Sequence, residues 1–345
     1  MTGGAQLPGP QIAGRIARRF GLGEPVGPLT PIGKRPGQRT WRLDTFGGRY
    51  FVKEYLRPRD LPGWSVWQRS LHGSWEVERA AVSAGLPVAI PVLAPGSCVP
   101  WVDFDVAGEP VTFRVHEWVD GVARVDPPDE AVAAQLGTVL GRVHRLLPPL
   151  RSWRRRPDCP TDWRSPVTVE ATESWWYPAY RASLPLLEEL SLRSAGALVD
   201  NDYLVRTHRD LHAHNVLIET SGRAVVVDWD AAATLRADWD LVETAMELAG
   251  TLSAPPSRTI VEVVVAAYRS AGGRSGPITP ASFTGLTLCV LGWVRSALWA
   301  ASAEPRSSVD PEATTVDQAG RELVRTLGVV GRIAEGAETW GGWFA

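Results

Sequence analysis

Apolar residues recur along this chain at two spacings. Val132, Leu136, Val139, Val143 and Leu147 follow three- and four-residue steps and predict a helix over 131–147. The same spacing predicts helices over 64–84, 181–193, 257–270, 281–301 and 316–335, with Leu288, Leu291, Val294 and Leu298 on one stripe. Near the start, Ile12, Ile16 and Phe20 share one face of a short helix, either packed on the first lobe or loosely attached. Strand patterns come earlier in the chain than most of the helices. Trp41–Thr45 and Tyr50–Tyr55 flank Phe46-Gly47-Gly48, and Val111–Val119 alternates up to Gly121. Two further apolar runs, Val216–Ile218 and Val225–Val227, enclose the turn from Glu219 to Arg223 and predict a hairpin.

Length and charge narrow the picture. A chain of 345 residues exceeds one simple core, so two lobes are expected. A formal charge of −2 gives no bias toward nucleic acid or an anionic membrane. No leader-like segment and no apolar run near the length of a membrane span is read, so a cytoplasmic protein is expected. Cys98, Cys159 and Cys289 form no metal or disulfide spacing. Only Lys34 and Lys53 are lysines in an arginine-rich chain, which makes each lysine informative. The run Arg151, Arg154, Arg155, Arg156 is expected to be a solvated loop, and Asp310, Glu312 and Asp317 to lie on a loop before the last helix.

The candidate chemistry gathers around the predicted hairpin. His208-x-Asp210-x-x-x-x-Asn215 precedes its first strand, and Asp228-Trp229-Asp230 follows its second. A hairpin returns the chain on itself, which sets Asn215 beside Asp228. Asp210 lies on the loop just before. One carboxylate is then placed as a base, and an amide and a carboxylate as oxygen ligands for a hard cation, the constellation of phosphoryl transfer. His208, His212 and His214 with such neighbours suit magnesium rather than zinc.

This motif set resembles the aminoglycoside phosphotransferase and choline kinase-like family, over roughly residues 28–245. The resemblance implies an α+β, two-lobed protein-kinase-like fold. Its N-terminal lobe has an antiparallel sheet and one main helix, and its C-terminal lobe is mostly helical. The implied division is a lead-in at 1–27, a nucleotide-binding lobe at 28–118, and a catalytic and acceptor-binding lobe at 119–345. Asp210 becomes the base and His208 a brace for its loop, while Asn215 and Asp228 hold Mg2+. Lys53 meets the phosphates of ATP or GTP under a loop containing Gly37, which is not a Walker A loop. The helix over 64–84 supplies a glutamate to Lys53. Glu78, on the face of Trp75 and Val82, is preferred to Glu76. Glu117, Trp118 and Val119 occupy the connector that meets the purine, and Asp240 braces the catalytic loop from the start of a helix. His116 and His144 are expected to be structural.

What is implied is a Mg-dependent small-molecule O-phosphotransferase. Its partner is a hydroxylated acceptor: an antibiotic (hence a resistance role), an amino sugar, or a choline-like or nucleoside-like compound. Nucleic acid and membrane are not expected partners, and nothing sets an oligomeric state. Trp175, Trp176 and Tyr177 are the candidates for the acceptor site. Neighbouring side chains diverge, so Trp175 and Trp176 must face different ways. The alternative is a catalytically silent, kinase-like binding protein. Such a protein would have lost the base or a metal ligand, and Asp210 and Asp228 are both present.

Overall fold

A computed structural model of the chain describes residues 9–35, 37–55, 64–106, 109–123, 128–149, 159–197, 203–302 and 315–345. The arginine run at 151–156 and the acidic residues Asp310 and Glu312 lie outside them. In chain order the elements are α1 (Gly9–Phe20), β1 (Thr30–Arg35), β2 (Gln38–Thr45), β3 (Gly48–Tyr55), α2 (Trp64–Ser83), β4 (Trp101–Val106), β5 (Glu109–Glu117) and β6 (Gly121–Ala123). Then come α3 (Glu130–Val143), α4 (Tyr177–Gly196), β7 (Leu204–Thr207), β8 (Val216–Glu219), β9 (Ala224–Val226) and β10 (Ala233–Arg236). The chain ends with α5 (Ala237–Leu248), α6 (Arg258–Ser270), α7 (Thr284–Ser302) and α8 (Val316–Gly341). This is the expected α+β architecture, with an antiparallel sheet first and helices after.

The chain forms two compact units. One comprises residues 1–123 and 214–233; the other comprises 124–213 and 234–345. The first unit is built on a five-stranded sheet in the order β1-β2-β3-β5-β4. Helix α1 is no loose lead-in. Its stripe of Ile12, Ile16 and Phe20 is buried in one cluster with Leu43, Val52, Phe113 and Val115 of the sheet. The predicted hairpin is present, with Val216 opposite Val226, and β6 pairs with β8 to make a three-stranded sheet. That strand begins at Gly121, where the alternating run ends.

Residues 87–92 stitch the two sheets of this unit together. The Val226 amide donates to Pro87 and the Ala89 amide donates to Val226, at 2.8 and 3.1 Å. On the other side the Glu117 amide donates to Ile90 and the Val92 amide to Val115, at 2.8 and 2.9 Å. An extended segment with both edges hydrogen-bonded fixes where the end of β9 sits relative to β3 and β5.

The second unit is helical around a two-stranded ribbon of β7 and β10. Helix α3 lies along α6 and α5 packs on α6 and α7, while α8 lies along α7 and meets α4. The segment Pro280–Ser302 is long and apolar enough to span a bilayer, which corrects the expectation that no such run exists. Of its most apolar 18 residues, 56% are buried inside the protein, as in a core helix. The α3–α6 approach depends on absent side chains. A Cβ on Gly137 would strike the backbone carbonyl of Val264, and one on Gly141 that of Tyr268.

Gly→Ala inside a helix gains ~1 kcal/mol of propensity. Forcing a methyl onto a neighbouring backbone costs ~1–3 kcal/mol or more, and a carbonyl cannot rotate away as a side chain can. The clash should therefore win. Gly141→Ala is expected to lower the melting temperature by several degrees; an unchanged or raised value would contradict this account of the α3–α6 contact.

Candidate active site

The first unit holds a buried ionic cluster. Lys53 on β3 lies directly opposite Arg114 on β5, so both side chains leave the same face of the sheet. Lys53 Nζ donates to Asp228 Oδ1 at 2.6 Å and to Asp230 Oδ2 at 2.8 Å. Arg114 Nη1 donates to Asp230 Oδ1 at 2.8 Å, and its Nη2 reaches Glu78 Oε2. The Tyr55 hydroxyl also donates to Asp230, at 2.8 Å. Asp228, two residues after β9, takes a left-handed backbone (φ 63°), and α2 packs on the short turn Trp229–Ala231 that carries Asp230. Asp tolerates that conformation better than most residues.

Charge states follow from these contacts. Burial opposes a charge on Lys53, but the Asp230 and Asp228 carboxylates outweigh it and raise the pKa far above the ordinary range. Burial likewise opposes the Asp230 carboxylate, but Lys53 and Arg114 pull its pKa well down, so it is ionised. Burial, then the cations Arg114 and Lys53, push His116 well below its usual value. His116 is therefore neutral, and its contact with Glu78 Oε1 at 3.0 Å is a hydrogen bond from Nε2–H.

A cavity of about 490 Å³ opens on this cluster, lined by Lys53, Glu78, Asn215, Asp228 and Asp230 among others. Glu117, Trp118 and Val119 line it too. The Glu117 and Trp118 amides are already used, by Ile90 and Arg49. Gly37, at the tip of the β1–β2 hairpin, is not among the lining residues; Gly33 and Thr40 are. Among the described residues, the β1–β2 hairpin therefore lines the cavity through its strands. Glu78 is fully buried and Glu76 exposed, as the helical face predicts. Its partner differs from the expected one: Glu78 binds Arg114 and His116, and Lys53 is held by Asp228 and Asp230.

The donor set suits a hard divalent cation. Asn215 and Asp228 offer oxygens, and the Val227 amide donates to the Asn215 carbonyl at 2.9 Å, which holds the two ends of the hairpin together. The formal charges of Lys53 and Arg114 against Glu78, Asp228 and Asp230 sum to −1. A net negative cluster beside oxygen donors could take added positive charge, which a metal ion would supply.

The second unit carries Asp210. It follows Arg209, whose φ is 64°, and its Oδ1 contacts His212 Nε2 at 3.0 Å. His208 is buried. Asp240, in the first turn of α5, accepts from Thr207 Oγ1 at 2.6 Å and so anchors the residue before His208. Its Oδ2 also meets His144 Nε2 at 2.7 Å, and His144 Nδ1 meets the Tyr268 hydroxyl at 2.9 Å. Burial, then the Asp240 carboxylate, keeps that phenol protonated. The Nε2–H of His144 therefore donates to the Asp240 carboxylate, and its Nδ1 meets the protonated Tyr268 hydroxyl. His144, expected to be packing, is a link in a buried chain.

Sequence reasoning passes over Glu243 and Glu247 on α5. With Cys289 of α7 they bring their ligand atoms within 4.8 Å of one another. Asp210 adds to their field. Their i, i+4 spacing is the available signal. Of the aromatic candidates, Trp176 is 1% exposed and packs against Tyr177 and Tyr180, so it is core and not an acceptor ring. Trp175 is 55% exposed, with Nε1 donating to Asp317 in the first turn of α8 at 3.0 Å. Tyr177 is half-buried.

Burial, then the nearby Asp240 carboxylate, raises Glu243 from 4.5 to about 8. Between those values the folded chain keeps a proton that the unfolded chain releases. Stability should fall as pH rises through this window and level off above about 8. Glu247 acts in the same direction. Glu243→Gln removes its share, so melting temperatures at about pH 5 and pH 8 should differ less in the variant than in the wild type. Equal pH dependence in both would contradict the assignment.

The model of one protein family, described as the phosphotransferase enzyme family, matches residues 28–276. Nothing matches among the curated proteins. Solved structures share the fold at low identity. Spectinomycin phosphotransferase in complex with ADP and spectinomycin has a TM-score of 0.67 and 12% identity, covering 96% of this chain and 100% of that one. A microcompartment-associated aminopropanol kinase has a TM-score of 0.63 and 17% identity, with 95% and 98% covered. Amicoumacin kinase in complex with AMP-PNP and Ca2+ has 0.57 and 16%, with 90% and 92% covered.

Proposed function

Because the chain belongs to the phosphotransferase enzyme family, we propose that it moves the γ-phosphate of ATP or GTP to a hydroxyl of a small molecule, with Mg2+. The observation that carries this reading is the cavity lined by Lys53, Asn215, Asp228 and the 117–119 connector. It combines a buried permanent cation, oxygen ligands for a hard metal and a cleft beside a strand end.

In this reading Lys53 neutralises the phosphates and the connector takes the purine. Asn215 and Asp228 would hold the metal, which supplies charge neutralisation at the transferring phosphoryl group when bound. Asp210 orients the acceptor hydroxyl and takes its proton as the oxygen attacks in line. It lies five positions before Asn215, so the chain itself ties base to metal ligand. The chain from Tyr268 through His144 and Asp240 to Thr207 fixes the loop that carries it. Rate acceleration comes from positioning and electrostatics, since there is little covalent chemistry for the protein to perform. The fold neighbours are kinases of spectinomycin, aminopropanol and amicoumacin, and hydroxylated amines are the first acceptors to try.

The test is a nucleotide-consumption screen over amino alcohols, amino sugars, sugars and nucleosides, followed by Asp210→Asn with any substrate found. The variant should bind nucleotide within about threefold of wild type and lose at least ~10²-fold in kcat. A loss in kcat under threefold would remove Asp210 as the base. Nucleotide binding with no turnover across the panel would favour a silent binding protein.

A further inference from the structure

Lys53 is expected to have one helix glutamate behind it. Here two carboxylates hold it, and neither is Glu78. One of the two, Asp228, is also placed to take a cation, so it cannot serve Lys53 alone. Asp230 remains, and everything around Asp230 serves to fix it. Arg114 Nη1 donates to its Oδ1 at 2.8 Å, and the Tyr55 hydroxyl reaches the same carboxylate. Arg114 in turn is held by Glu78, which His116 also contacts.

We propose that Arg114 is a positioning residue of the nucleotide site, acting through Asp230 to aim Lys53, in the part the family resemblance gives to Glu78 directly. The proposal rests on the nucleotide-binding reading above.

Three observations carry it. The strand register puts Arg114 across from Lys53, so the two cations sit side by side with Asp230 bridging them. Arg114 is 1% exposed, and its Nε has no partner among the described residues. Its orientation is therefore set by the two carboxylates at its tip and not by hydrogen bonds along its stem. Finally, only a planar fork can hold Glu78 with one nitrogen and Asp230 with another at fixed angle. The chain of contact runs from Glu78 on α2 to Arg114 on β5, to Asp230 after β9, to Lys53 on β3. It lets the main helix of this unit act on the lysine through an intermediary.

The test compares binding of Mg-triphosphate (ATP or GTP, whichever the wild type binds) with binding of the matching nucleoside, which has no phosphates for Lys53 to meet. If the wild type binds neither triphosphate, the functional reading itself fails. Given binding, Arg114→Met and Asp230→Asn should each weaken the triphosphate at least ~10-fold and change the nucleoside by less than ~3-fold. Arg114→Lys should recover only part of the loss, since an ammonium replaces the fork by a point charge. Glu78→Gln should lose less than Asp230→Asn. Asp230→Asn conserves shape, so it carries the test even if Arg114→Met does not fold. The proposal is overturned if triphosphate and nucleoside weaken together in Asp230→Asn. It is equally overturned if Glu78→Gln costs as much as Asp230→Asn, or if Arg114→Lys and Arg114→Met both bind triphosphate like the wild type.

Discussion

The carboxylate of Asp230 is the point on which the first unit turns. It takes hydrogen bonds from Lys53, Arg114 and Tyr55 at once, which joins β3, β5 and the turn after β9 in one buried knot. Asp230 is a quarter exposed, but Lys53 and Arg114 are 3% and 1% exposed, and leaving a buried cation without its carboxylate costs ~3–5 kcal/mol. Keeping all of them is expensive too, since burial opposes the charge on both Lys53 and Asp230. A nonpolar core of the same volume would serve stability as well or better. That cost fits a site whose residues are set by charge placement rather than by packing.

The second unit uses a quieter device for the same end. Asp240 sits at the start of α5, where the helix dipole favours an acid, and ties down Thr207 while His144 and Tyr268 orient it from behind. Helix α3 ends at His144, and it approaches α6 closely through Gly137 and Gly141. The loop carrying Asp210 is thus linked to helix packing through a buried hydrogen-bond chain.

Much of this is legible in the sequence, and for physical reasons. Helical and strand periods locate α3, α7, the first sheet and the hairpin of β8 and β9, because each buries one face. The face rule also puts Glu78, and not Glu76, in the interior. Its partner is not legible: Arg114 is one residue of an alternating strand, and only the register with β3 sets it beside Lys53. Trp175 and Trp176 diverge as adjacency requires, but which one is buried depends on α8, more than a hundred residues away. Gly37 resembles a phosphate-loop glycine, yet a left-handed φ of 79° serves the hairpin tip just as well. Thr, Gly, Arg and Ser interrupt the apolar residues of α7, so no unbroken run marks it in the sequence, yet the segment Pro280–Ser302 that contains it is apolar enough on average to span a bilayer.

The central claim is that the oxygens at the base of the hairpin hold a metal ion against nucleotide phosphates. Calorimetric titration of ATP and GTP into the wild type and Asp228→Ala, each with and without Mg2+, tests it most directly. The account predicts that Mg2+ tightens nucleotide binding in the wild type and that the variant loses this dependence. A variant that keeps the full Mg2+ effect would contradict it.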